Sequence, residues 1–259
     1  LLGGNVAFGT ITSPIARAMV VDTAGVVTFG GPVASLANPL ASLTVNNASL
    51  VRLGGDVTTN GLIALRDTQL DASSTGTSLL GGTISFGSIT SPGTARDLIV
   101  DTTNVVTFAG PVGSLANPLA SLSVNNASLT RVGGDIATNA GIALGVVQLD
   151  ADSTITSLLG GNVTLGAITS PIARNLVVDT SGLTTFNGDI GSAGARLASL
   201  QKLGSGANSL LGDAFTIGQQ RFAGNVAFSK GAAQTLDAGG PRCIGGTSCG
   251  AALTTLGAR

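Results

Sequence analysis

Asp and Arg recur at fixed places in this chain, and together they are side chains that could cleave a sugar polymer by acid–base chemistry. Asp22, Asp101 and Asp179 close short Val-rich runs, Asp56, Asp135 and Asp213 follow glycines, and Arg17, Arg96 and Arg174 follow a Ser-Pro turn. Polysaccharide lyases and hydrolases work with clustered Asp and Arg, and a glycosidase pair must lie within about 5–9.5 Å. Recurrence argues against that use. Copies three layers apart in a stack of strands are about 14 Å apart at a spacing of about 4.8 Å, too far to act together. They are expected to be turn and surface residues, because a short acid bonds nearby backbone groups. A catalytic groove would need unique acids, and the least repetitive stretch, Ser192 to Ala238, holds only Asp213 and Asp237.

Two cysteines close the candidate chemistry, in Cys243-Ile244-Gly245-Gly246-Thr247-Ser248-Cys249. A disulfide between Cys243 and Cys249 would staple a short end loop, with free thiols or two metal ligands as the alternatives. With no His and no further Cys, a four-ligand zinc site would need Asp or a partner chain. Calcium is not expected either, since Gly-Gly-Asp lacks the Gly-Gly-x-Gly-x-Asp nonapeptide. No cofactor and no metal are expected, and the chain is read as a non-enzyme.

What positions these residues is a repeat. Leu1-Leu2-Gly3-Gly4-Asn5-Val6 returns at Leu79-Leu80-Gly81-Gly82-Thr83-Ile84 and at Leu158-Leu159-Gly160-Gly161-Asn162-Val163, so that one long unit fills most of the chain. Within it, glycine turn markers fall at Gly4, Gly31, Gly55, Gly82, Gly110, Gly134, Gly161, Gly188 and Gly212, with a weaker one at Gly239. The longest interval, from Gly82 to Gly110, contains an extra residue in Ser91-Pro92-Gly93-Thr94-Ala95-Arg96, absorbed without loss of phase as in a loop. Between the markers run short alternating or β-branched segments such as Asn5 to Ile11, Ala18 to Thr23 and Ala41 to Asn46, each ended by Gly, Asn, Asp or Pro.

These patterns predict an all-β chain folded as a right-handed parallel β-helix of about ten rungs, each about 24–28 residues long and three to a repeat. The glycine marks are expected to line up along one axis. Residues 1–238 read as one continuous solenoid, with repeats 1–78, 79–157 and 158–238, followed by a terminal rung or cap over 239–259. The inward row is expected to comprise Val6, Phe8, Ile11, Val33, Leu36, Leu43, Val45, Val57, Ile63, Leu65 and their copies. One rung cannot stand alone, because ordering each residue costs about 1–2 kcal/mol of backbone entropy, so stacking is obligatory.

Composition narrows the function classes. Net charge is −1 with only two Lys, so no basic stripe neutralises phosphates and nucleic acid is an unsuited partner. No apolar run approaches the roughly 18 residues that cross a bilayer. A flat ice-binding array is not expected, since Thr10-Ile11-Thr12 returns only as Ser88-Ile89-Thr90 and Ala167-Ile168-Thr169. Phe is the only aromatic type and is expected inside, which leaves no stacking platform for sugars. The chain begins at the head of a repeat without Met, as a processed product or a piece of a longer protein would.

Thr28-Phe29-Gly30-Gly31-Pro32-Val33 with Leu40-Ala41-Ser42-Leu43, its copies from Thr107 and Thr185, and Gly218-Gln219-Gln220-Arg221-Phe222-Ala223-Gly224-Asn225-Val226 resemble the repeats of filamentous-haemagglutinin-like bacterial surface proteins. The resemblance covers roughly residues 1 to 238. It implies a secreted β-helical stalk or adhesin on a bacterial surface or in its matrix. The expected function is an extracellular structural fibre, stalk or filament subunit whose partner is itself, head to tail through terminal rungs. The alternatives are an adhesin fragment that binds surface glycans and a β-helical carbohydrate-active enzyme.

Overall fold

The fold follows from strands too short to stand alone. A computed structural model describes residues 3–244 and shows an all-β parallel β-solenoid of about eleven turns, with no helix. The chain divides into two compact units, one up to Arg131 and one from Val132 on. That boundary falls inside the second sequence repeat and not at a repeat limit.

In the first unit three walls alternate. Wall one stacks Val6–Phe8, Val26–Phe29, Leu50–Leu53, Thr68–Leu70 and Ile89–Thr90. Wall two stacks Val57–Thr59, Ser74–Ser78, Asp97–Asp101 and Ser121–Asn125, and Ile11 and Val33 join it by single bridges. Wall three stacks Ala18–Asp22, Ser42–Asn46, Ile63–Ala64, Ile84–Phe86 and Val105–Phe108. The second unit is built the same way. Its ladders run Ile136–Thr138 through Ser153–Ser157, Asn175–Asp179 and Ser199–Leu203 to Gln220–Phe222, and Ile142–Leu144 through Val163–Leu165 and Thr184–Phe186 to Asn208–Leu210 and Val226–Phe228.

Register corrects the expected rung. Val26 pairs with Leu50 but Val51 pairs with Thr68, and in the second unit Asn175 pairs with Ser199 but Ile136 pairs with Ile155. The longest of these steps only reaches the lower limit expected for a rung, and the others fall well below it. Some turns equal the shortest glycine spacing and others are shorter, and they number about eleven, close to the ten expected. The glycine intervals measured something else. From Gly31 to Gly55 the chain passes three walls, but from Gly4 to Gly31 and from Gly55 to Gly82 it passes four. The first repeat thus takes eleven wall steps, or three and two-thirds turns in place of three. Val6 accordingly lies in wall one and its copy Ile84 in wall three. The glycine marks do not share one axis, because the second repeat starts a third of a turn out of phase with the first.

The core is aliphatic with stacked rings. Val27, Phe29, Val33, Leu43, Ile63, Ile84, Ile89 and Phe108 are fully buried, and Val45, Val57 and Leu65 nearly so. Phe86 and Phe108 stack at 5.8 Å between centroids. Leu36 is a correction: it is 69% exposed, as is its copy Leu115 at 70%. Both sit at the tip of a narrow loop, closed in the first case by reciprocal backbone bonds between Ser35 and Asn38 and opened by Ala34 at a φ of 64°. Val6, Phe8 and Ile11 are half-buried, since their strands meet a neighbouring turn on one side only among the described residues.

Candidate functional sites at the corners

Each corner bends the backbone away from its ladder, and the carbonyls and N–H groups released there need other partners. The recurring acids supply them. Asp56, Asp135 and Asp213 each accept the backbone N–H of the next turn, from Thr75, Thr154 and Thr235, all at 2.7 Å. Asp22 and Asp101 each accept the side-chain amide of an Asn one turn on, Asn47 and Asn126, at 2.8 Å. Those two Asn hold left-handed backbone, φ 58° and 61°, which Asn tolerates better than most residues. Arg17, Arg96 and Arg174 contribute backbone carbonyls to the N–H groups of Ala41, Ala120 and Ala198. Asp22 lies on wall three and Asp101 on wall two of the first unit, so these two copies do not converge on one face. No group of three or more metal-ligating side chains occurs among the described residues.

The glycine markers differ in what they do. A Cβ on Gly82 would run into the backbone of Gly61, one on Gly161 into Ala140 and one on Gly212 into Gly188. Around Gly4 there is open space within 4 Å. At Gly55 a Cβ would lie 2.8 Å from Pro32 N, and at Gly188 it would lie 2.9 Å from Ala167 N. Gly31 faces Thr10 at 2.8 Å, and Gly110 is looser, 3.3 Å from Ser88 N. None of these carries the positive φ that its neighbours Gly81 and Gly160 do. The marker is therefore mostly a place where two backbones stack too closely for a side chain. Of the cysteine pair, Cys243 is buried and receives the Gln219 amide at 3.7 Å, while Cys249 lies outside the described residues.

Buried polar residues in the third repeat are the functional candidates that reading residue types missed. Thr184, Lys202, Asn208, Gln220 and Gln234 are all nearly or fully buried. Aligning the repeats would have found them: Gly182-Leu183-Thr184-Thr185-Phe186 stands where Gly25-Val26-Val27-Thr28-Phe29 does, and Gln220 stands where Ile63 does. Lys202 donates to three backbone carbonyls, Thr180 at 2.9 Å, Gly204 at 3.1 Å and Gly206 at 2.9 Å. Burial pushes its ammonium below the ordinary lysine range, and the charge of Asp179 opposes that. Thr184 leaves its buried hydroxyl without a partner. Thr184→Val restores the side chain of the earlier copies and should raise stability by about 1 kcal/mol, read as a higher denaturant midpoint at unchanged slope.

Ion pairs fasten the turn around residues 230–238 to its predecessors. Lys230 meets Asp213 at 2.6 Å, and Arg196 meets Asp237 at 2.5 Å while lying over the Phe215 ring. Burial alone would lift the Asp213 carboxyl, but the hydrogen bonds from Lys230 and the Thr235 N–H, with the Lys230 charge, hold it below the usual 3.8. The stability this contributes is present above the unfolded value and is lost as pH falls through the lowered one. Acid titration of Asp213→Asn should accordingly show a shallower loss of stability below about pH 4 than the parent.

A recess opens at one corner of the first unit, lined by Ala48, Leu65, Arg66, Asp67, Phe86 and Gly87. It marks a short turn, from Val51 to Thr68, set back between longer ones. Arg66 and Asp67 are replaced by Gly145 and Val146 in the next repeat, and Asp67 accepts the Ser88 N–H at 2.8 Å.

Comparison of the chain with known protein families, with curated proteins and with solved structures finds no match, and the likeness to filamentous-haemagglutinin-like repeats stands on the quoted residues alone.

Proposed function

We propose that the chain is a structural element of an extracellular bacterial fibre, stalk or matrix, wound in the right-handed sense usual for parallel crossovers. Its mechanism is mechanical: each wall of a turn presents backbone donors and acceptors to the next turn, around a largely apolar core. One observation carries the reading, namely that five of the recurring acids, Asp22, Asp56, Asp101, Asp135 and Asp213, and most of the glycine markers are used in stacking one turn on another. Repeats that specify only their neighbours build length. The same strand pairing would join copies head to tail through their terminal turns. Light scattering across a concentration series, with negative-stain images of the same samples, tests this. Threads that lengthen with concentration are the expected result, and a monomer at every concentration would remove the assembly.

The recess beside Arg66 and Asp67 favours a second reading, an adhesin segment that binds surface glycans. Asp67 is used in stacking, but Arg66 lines the recess and is replaced by Gly145 in the next copy, so the repeat does not require it as a spacer. Glycan-array binding lost on Arg66→Ala would favour it, and no binding to any glycan would set it aside.

A further inference from the structure

The most unusual group in the molecule is the Lys202 ammonium, fully buried in a core of aliphatic, phenylalanine and uncharged polar side chains and paired in register with the buried Phe222. Its setting is specific to one repeat. Leu200-Gln201-Lys202-Leu203-Gly204 stands where earlier copies read Leu43-Thr44-Val45-Asn46-Asn47 and Leu122-Ser123-Val124-Asn125-Asn126. Two changes came together: Val became Lys202, and the left-handed Asn that bonds the preceding turn's Asp became Gly204, still left-handed at φ 73°. Asp179, the counterpart of Asp22 and Asp101, is thereby left without that Asn, and it is the acid whose charge favours the ammonium.

The three oxygens around the Lys202 nitrogen come from backbone on two adjacent turns, Thr180 on one and Gly204 and Gly206 on the next. A Cβ on Gly204 or Gly206 would strike the carbonyls of Thr180 or Gly182. Glycine at both places thus permits the close approach that gathers the oxygens. Carbonyl oxygens are the ligands that replace the hydration shell of a monovalent cation. Their 2.9–3.1 Å distances exceed those at which Ca²⁺ and Mg²⁺ hold oxygen, about 2.3–2.6 Å and about 2.0–2.1 Å.

We propose that the carbonyls of Thr180, Gly204 and Gly206 form a monovalent-cation site that Lys202 fills from within the chain, a tethered ion doing the work of the Asn–Asp clasp of the other repeats. The site suits an ammonium group, whose hydrogen bonds to carbonyl oxygen have these lengths. Shortening the side chain exposes it to free ammonium, methylammonium or potassium.

The test is the melting temperature of the parent, Lys202→Ala and Lys202→Met in methylammonium, potassium or choline chloride at equal ionic strength. Methylammonium should raise the melting point of Lys202→Ala by about 4 °C over choline at about ten times its dissociation constant. The parent, whose own ammonium holds the site, should not respond, and Lys202→Met, whose terminal methyl takes the room of the ligand's methyl group, should not respond to methylammonium. A folded Lys202→Ala that gains nothing over choline, or an equal gain in all three proteins, overturns the proposal. If neither variant folds, the parent decides by nitrogen-15 NMR. A slowly exchanging Lys202 ammonium coupled across hydrogen bonds to the three carbonyl carbons supports the site, and a neutral or freely exchanging amine overturns it.

Discussion

Gly82→Ala lowers stability by about 3 kcal/mol, whereas Gly4→Ala stays within about 0.5 kcal/mol. The two glycines occupy the same place in successive repeats, Leu-Leu-Gly-Gly before Asn-Val or Thr-Ile. Neither has positive φ, so loss of conformational freedom does not separate them. What separates them is what lies beneath. A methyl group on Gly82 would occupy the backbone of Gly61, and one on Gly4 would meet nothing within 4 Å. Backbone cannot swing aside as a side chain can, so the turns must part. Three local bonds would be strained with them: the Leu79 and Leu80 N–H groups on Thr59 and Asn60, and the Ser78 hydroxyl on Gly61. Urea denaturation followed by circular dichroism measures the difference. Equal losses at the two positions would show that the glycines serve local backbone conformation and not close stacking.

The parallel solenoid was legible because its cause is periodic. Alternating strands, glycine corners and near-identical repeats leave each segment one way to bury its apolar side, and Val33, Leu43, Val57 and Ile63 sit inward as the alternation requires. The pitch was not legible for a related reason. Corner motifs mark where the chain bends, and a three-walled turn bends three times. The similar spacing of Gly31 to Gly55 and of Gly55 to Gly82 therefore hid one turn in the first interval and one and a third in the second. Leu36 failed because an apolar residue at a loop tip resembles one in a strand when its neighbours Val33 and Leu40 are both buried. Lys202 escaped notice because lysine is ordinarily a surface residue. Only its alignment with Val45 and Val124 reveals that the polypeptide carries it inward.

Phe108→Ala should cost about 3–5 kcal/mol, while Phe8→Ala should cost about 1 kcal/mol. The pair isolates burial from ring stacking. Phe108 lies over Phe86 at 5.8 Å and 14°, and Phe8 lies over Phe29 at 5.4 Å and 14°, so the ring geometry is the same. Phe108 is fully buried, however, and Phe8 only half. Stacking contributes about 0.5–1.5 kcal/mol in either case, and the remainder is the cavity that a closed turn cannot collapse. Denaturant titration of dilute protein should show this order, and equal costs would mean that stacking dominates. The contrast also bears on assembly. If copies join through the edge at Val6–Phe8, an added strand covers Phe8 and turns its half-exposed ring into a buried one. Phe8→Ala should then cost little in the dilute protein yet raise the concentration at which threads appear about tenfold, the equivalent of about 1.4 kcal/mol. A thread threshold that Phe8→Ala leaves unmoved would place the junction elsewhere.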